Sequence, residues 1–354
     1  MTEKVSFAIV LLIINDSNTV MNNVQVLSIK QFWSLNPASQ VIKLFGKCCK
    51  NYIFETELET ADYRFDLSLC IRKEEIDSLL QYWKQNDFVS TFESNPVWKN
   101  LYSFCQLWGD RDSILSKHIA DLWFEFDELE FKTLCPRPCF FFSPIGLNGS
   151  ISLGKNRDLS WLYDIALLML YGESFNGIIK ENIQRCIEAL PGNGAIFQIG
   201  AMLPRKLKNV RLCTVMPVNH YPLYLRQIGW RGSFEYLITL LESLSCLADG
   251  IFVDIDIGDE ISTKTGIECV YKKRTAHESG YNILERLLNY LIDLNLCIKE
   301  KADRVMEWSH EPLEEDEDGN YIKRSLSHIK VVLHPDNSIE AKSYSALSID
   351  IKHA

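Results

Sequence analysis

The chain has 354 residues, 47% hydrophobic and 24% charged, with 17 Gly and 11 Pro, which excludes collagen-like, low-complexity and wholly disordered chains. Lys and Arg total 37 against 47 for Asp and Glu, a net charge of −10. A nucleic acid or an anionic membrane is therefore disfavoured as the main partner, because either needs a basic face to displace counterions.

Near the start, Val5–Ile14 is apolar over only about half the length a bilayer requires. It has no basic leading segment and no small-residue exit, so it reads as a buried strand or helix rather than a signal peptide or membrane span. Residues 1–50 are expected to pack as an extension on the body of the protein. The 11 Cys are scattered and mostly set in apolar runs, the pattern of buried reduced thiols in a cytoplasmic protein. Cys135 and Cys139 have no second pair at zinc spacing.

From residue 51 onward, two strand-like alternating runs arrive as a pair five times. The pairs are Asn51–Glu59 with Tyr63–Arg72, Ala120–Asp127 with Cys139–Pro144, Ala195–Met202 with Val210–Met216, Ile251–Ile257 with Gly266–Lys272, and Ser327–His334 with Ile339–Leu347. Long helices are predicted between them at Ser160–Leu170, Ser233–Leu247 and Tyr281–Leu294, and shorter ones at Ile76–Trp83, Val97–Leu107, Ile178–Leu190 and Leu223–Ile228. Pair starts recur at roughly 55 to 75 residues, enough for one supersecondary unit each. Residues 309–325, with the run Glu314–Asp318, read as an acidic surface loop. No glycine-rich dinucleotide or Walker loop, no Gly-x-Ser-x-Gly and no His-Glu-x-x-His is present.

Neighbouring antiparallel strands close through short loops, so each pair reads as a hairpin. Ten strands in an open sheet tend to curl or split, and closing them removes both edges. The expectation is an α+β fold over residues 1–354, a ten-stranded antiparallel β-barrel of five αββα units with the helices outside. In each pair one face is apolar, as in Leu122, Phe124 and Phe126, and the other polar, as in Trp123, Glu125 and Asp127. Helices must cover the apolar face, so the polar face lines the lumen. A polar lumen is costly unless it is wet or holds a ligand.

That plan resembles the ABBA-type aromatic prenyltransferases over residues 50–350. In that family an isoprenoid diphosphate is held by inward Arg, Lys and Tyr, often spaced as Lys-x-Tyr, and Lys342-Ser343-Tyr344 has that spacing on the last strand. The resemblance implies transfer of an isoprenyl group from its diphosphate to an aromatic or peptide acceptor. Departure of pyrophosphate requires cations and a hydroxyl. The candidates are Arg211, Lys272, Lys330, Lys342 and Tyr344, with Arg64, Arg72, His328 and His334 on the same proposed face. Trp123 offers a π-face to a carbocation, Glu125 and then Asp127 offer a general base, and Asp254 with Asp256 offers a carboxylate pair for Mg²⁺. The alternative is a barrel that binds or tailors another small molecule or peptide. Lumen cations at one level above aromatic side chains favour transfer; cations each paired with an acid favour binding.

Overall fold

A computed structural model describes residues 38–350, apart from 63, 134, 147–151, 155–157, 206–208, 272–279, 311–312 and 316–320. Val5–Ile14, Tyr63 and Lys272 lie outside the described residues. The strands are β1 Asn51–Glu57, β2 Asp66–Arg72, β3 Ile119–Phe126, β4 Cys139–Pro144, β5 Ala195–Ala201, β6 Val210–Val215, β7 Gly250–Ile257, β8 Ile261–Val270, β9 Leu313–Glu315, β10 Tyr321–Leu333 and β11 Ile339–Asp350. They form one sheet in the order β11-β1-β2-β3-β4-β5-β6-β7-β8-β10, and β10 also pairs with β11. The sheet therefore closes as a ten-stranded antiparallel barrel. The short β9 adds to β10 outside that ring, from Tyr321↔Glu315 to Lys323↔Leu313.

Three expectations are corrected. The fourth hairpin's second strand begins at Ile261 rather than Gly266, because the turn is tight: the Gly258 N–H donates to the Glu260 carbonyl and Ile257 already faces Ile261. The last hairpin is longer than expected, with β10 starting at Tyr321 and β11 ending at Asp350. The region 309–325 is not simply a loop: a helix, Lys299–His310, precedes β9, and β10 begins within it. Edge strands tolerate charge, so Glu314 and Glu315 can enter the backbone ladder with β10.

Helices fill the gaps between hairpins, and Ser39–Phe45, Phe88–Glu93, Ile114–His118 and Lys299–His310 join those expected. The segment from Ser160 is π-helical over Trp161–Leu167 before an α-helical turn at Leu168–Tyr171. Among the described residues no helix is long and apolar enough to cross a membrane. The helices cover the apolar strand faces: Leu67, Leu69, Leu122, Phe124, Phe126, Val253 and Ile255 are all fully buried.

Around β3 this outer core is an aromatic stack. Phe45 of the first helix meets Phe124 edge-on at 4.9 Å, and Trp98 stacks on Phe92 at 4.6 Å and on Phe124 at 6.2 Å. The helix Pro96–Gly109 that carries Trp98 starts cleanly, because Asn95 Oδ1 accepts from the Val97 and Trp98 amides and Pro96 needs no donor there. Trp123, one residue away from Phe124, belongs instead to a separate small cluster with Cys139, Phe141 and Met202. The eleven cysteines are free thiols, most of them buried.

The two faces of β3 should thus respond differently to truncation. Phe124→Ala should cost about 3–5 kcal/mol in chemical denaturation, the usual loss for a buried aromatic. Trp123→Ala, which removes a half-buried side chain from the lumen wall, should cost less than half as much; equal losses would contradict the assignment of faces.

Candidate ligand chamber in the barrel lumen

Alternation carries one residue in two into the lumen, and the strand register sets them side by side. Arg211 faces Asp256, Cys213 faces Asp254, Lys330 faces both Glu268 and Lys342, and Glu55 faces Tyr344. The lumen has two adjoining regions that share Glu125, Arg211, Asp254, Lys330 and Tyr344 in their linings. The first is ionic, lined also by Glu55, Arg205, Asp256, Lys264, Glu340 and Lys342, with about 50 Å³ of space. The second is an aromatic chamber of about 220 Å³ whose walls include Trp123, Phe141, Phe197 and Phe252. Gly200 makes room for one wall, since a Cβ there would lie 2.4 Å from the Phe141 ring.

Arg211, Lys330, Lys342 and Tyr344, expected to meet, are brought together here. None of the three cations is unaccompanied. Arg211 forms a bidentate bridge to Asp256 at 2.7 and 3.1 Å. Lys330 donates to Asp254 and lies 3.5 Å from Glu268. Lys342 donates to Glu55 at 2.7 Å and lies 3.8 Å from Glu340. Tyr344 lies across from Glu55 in the register and stacks on His328 at 4.1 Å, with the Lys330 ammonium 5.6 Å from its ring.

Two cations that sequence reasoning missed are held more loosely. Arg205 lies 3.5 Å from Glu125 and 4.0 Å from Asp127, and Lys264 lies 4.0 Å from Glu340. Lys264 escaped because β8 was expected to begin two residues later. Arg205 sits in the turn after β5, where no periodicity marks a direction. Glu55 and Glu268, also missed, carried a usable signal, since both lie on the lumen parity of their strands. Arg64 is 57% exposed and pairs with Asp62, so it is outside the chamber; Arg72 is likewise exposed at a strand end. His334 pairs with Glu340 at 3.4 Å.

The electrostatics follow from burial and pairing. Burial raises the Asp254 carboxyl, the Glu268 charge adds to that, and Lys330 opposes both. Burial would also raise Asp256 and Glu55, but Arg211 outweighs it at Asp256 and Lys342 at Glu55, which falls to about 2. Burial and then the Glu55 charge push Glu125 upward. His328 is pushed down to about 3 by burial and the Lys330 ammonium, so it is neutral at ordinary pH. Trp123 Nε1 donates to Asp121 at 3.0 Å, which fixes the indole on the wall.

The Asp254–Asp256 pair does not fit Mg²⁺ as expected. Both Asp256 oxygens are taken by Arg211 and one Asp254 oxygen by Lys330, leaving Asp254 Oδ1 as the single oxygen without a hydrogen-bond partner. Among the described residues no group of three His, Cys, Asp or Glu is arranged to hold a metal ion.

No family profile matches the chain, and no curated protein matches it significantly. Solved structures that resemble it include that of AnaPT from Neosartorya fischeri, which aligns over 86% of this chain and 78% of its own at 10% identity and a TM-score of 0.45. At that distance the alignment carries no argument, and the barrel assignment rests on the strand order.

Asp66 gives a direct test of this lumen. It accepts the Glu128 amide at 2.7 Å, and burial followed by the Glu55 charge pushes its carboxyl up to about 8. The folded protein therefore holds a proton that the unfolded chain releases near pH 4, so stability falls as pH rises from about 4 to 8. Asp66→Asn removes that penalty. Its melting temperature relative to wild type should rise progressively between pH 4.5 and pH 8; a constant difference would contradict the lumen placement.

Proposed function

We propose that the chain is a transferase that moves an isoprenyl group from its diphosphate to an acceptor bound inside the barrel. The observation that carries this reading is the division of the lumen into an ionic region beside an aromatic one. An allylic diphosphate has the same two parts, a polyanion joined to an apolar chain.

Arg205, Lys264 and Lys342 are the groups to meet the diphosphate, because the first two are loosely held and the third, though bridged to Glu55, is more exposed than Arg211 or Lys330. Arg211 and Lys330 are bound tightly to acids and set the shape of the region instead. The carbon–oxygen bond to the diphosphate breaks, and pyrophosphate leaves with the electron pair toward those cations. The allylic cation is sheltered by the aromatic wall, where Trp123, Phe141, Phe197 and Phe252 exclude water and offer π-faces. Its first carbon bonds to the acceptor, and the acceptor's proton passes to Glu125, a carboxylate that burial makes more basic than a solvated one.

One observation favours the second reading, a barrel that binds or tailors a different small molecule: every described lumen cation has an acidic neighbour within 4.0 Å. Titrating dimethylallyl, geranyl and farnesyl diphosphate by calorimetry, with and without Mg²⁺, separates the two. Binding of at least one of them supports transfer, and binding of none leaves the second reading.

Substitutions at the two regions should then separate binding from turnover. Lys264→Ala should weaken diphosphate binding, since it removes a cation used in the ground state and the transition state alike. Glu125→Gln should not weaken that affinity, since it removes the acid beside Arg205 rather than a cation, and should lower turnover by about 10²–10⁴-fold, the usual share of general acid–base catalysis. Parallel losses of diphosphate affinity in both variants would contradict the division of roles.

A further inference from the structure

The aromatic chamber has more carboxylate than its cations neutralise. Its lining includes Asp254 and Glu268, and both turn to the same ammonium, that of Lys330. Arg211 also reaches the chamber, but its guanidinium is paired with Asp256 through Nε and Nη2. His328 adds no positive charge, because burial and Lys330 keep it neutral. Asp254, only 3% exposed, retains Oδ1 without a hydrogen-bond partner. A buried carboxylate oxygen in that state loses its hydration without replacement, and a ligand that donates to it recovers the difference.

The walls beside these acids are rings. Phe197 and Phe252 lie 4.8 Å apart, and Trp123, Phe141 and Tyr344 line the same chamber. Ring faces attract organic cations as well as apolar groups. The chamber's 220 Å³ exceeds the ~150 Å³ in which an engineered cavity holds benzene, so an aryl group with a short side chain can be accommodated.

We propose that the second ligand in this chamber is an organic cation, an amine or guanidinium carried on an aromatic or alkyl body, with the charged group donating to Asp254 and Glu268. The assignment rests on the transferase reading only in naming this ligand as the acceptor. A neutral aromatic fills the walls but leaves Asp254 Oδ1 unmet, and an anion adds charge where carboxylate is already in surplus. The cation also takes up the carboxylates that hold Lys330, so it leaves that ammonium freer to attract an anion in the neighbouring region.

Calorimetric titration at pH 7 with three ligands of similar shape tests this: tryptamine, 3-ethylindole and indole-3-propionate. Tryptamine should bind at least tenfold more tightly than 3-ethylindole, and indole-3-propionate most weakly. Asp254→Asn should remove the advantage of tryptamine and leave 3-ethylindole unaffected. Should that variant fail to fold, as judged by its near-ultraviolet circular dichroism, Glu268→Gln serves the same purpose. Equal affinities for tryptamine and 3-ethylindole, a preference for the anion, or an advantage that persists in a folded variant would overturn the proposal. Geranyl diphosphate is titrated separately: if it fails to bind while the preference for tryptamine holds, the transferase reading falls and the cation site stands.

Discussion

A charge inside a closed barrel has lost most of its water, and the rest of this structure is arranged around replacing it. Removing a charged group from solvent costs several kcal/mol unless an opposite charge and hydrogen bonds stand in for the hydration shell. The lumen meets that requirement across strands: Arg211 on β6 with Asp256 on β7, Lys330 on β10 with Asp254 on β7, Lys342 on β11 with Glu55 on β1. Each pair joins neighbouring or nearly neighbouring strands, so the charge pattern depends on the register as much as on the residues. Gly266 illustrates the dependence. A Cβ there would lie 2.5 Å from the Lys330 side chain, so the absence of one gives Lys330 its path across β8 to Asp254.

The pairing sorts the cations by availability. Breaking a buried pair by removing one partner costs about 3–5 kcal/mol, because it leaves the other charge unmet. Arg211 and Lys330 are in that position and are structural as much as functional. Arg205 and Lys264 lie at the margin of the ionic region, at 3.5 and 4.0 Å from their acids, and are 36% and 41% exposed. Such cations are less tightly held than Arg211 and Lys330, so they can turn to an incoming anion at a smaller loss. The ionic region balances its acids and cations, whereas in the aromatic chamber two carboxylates turn to one ammonium. The proposed ligands follow that difference, an anion beside the loosely held cations and a cation beside the shared carboxylates.

The face of each strand was legible because burial repeats with period two. Phe124 and Trp123 differ by one position and lie on opposite sides of the wall. Closure was legible as well, since ten alternating runs leave no other economical way to satisfy two edges. What sequence could not supply was pairing. Whether Asp254 meets a metal, a lysine or a ligand depends on which residue the register places across from it, and Lys330 is 76 positions away in the chain. Arg205 was invisible for a related reason: it reaches the lumen from a turn, where backbone direction follows local geometry rather than alternation. The start of β8 was misplaced because its first half, Ser262–Thr265, is polar throughout and reads as a continuation of the turn at Gly258-Asp259-Glu260.

The most direct measurement is a crystal structure of the protein with geranyl S-thiolodiphosphate, an analogue that ionises too slowly to react. The diphosphate should lie against Arg205, Lys264 and Lys342, and the geranyl chain among Trp123, Phe141, Phe197 and Phe252. Density for the analogue outside the barrel, or with the chain in the ionic region, would contradict it.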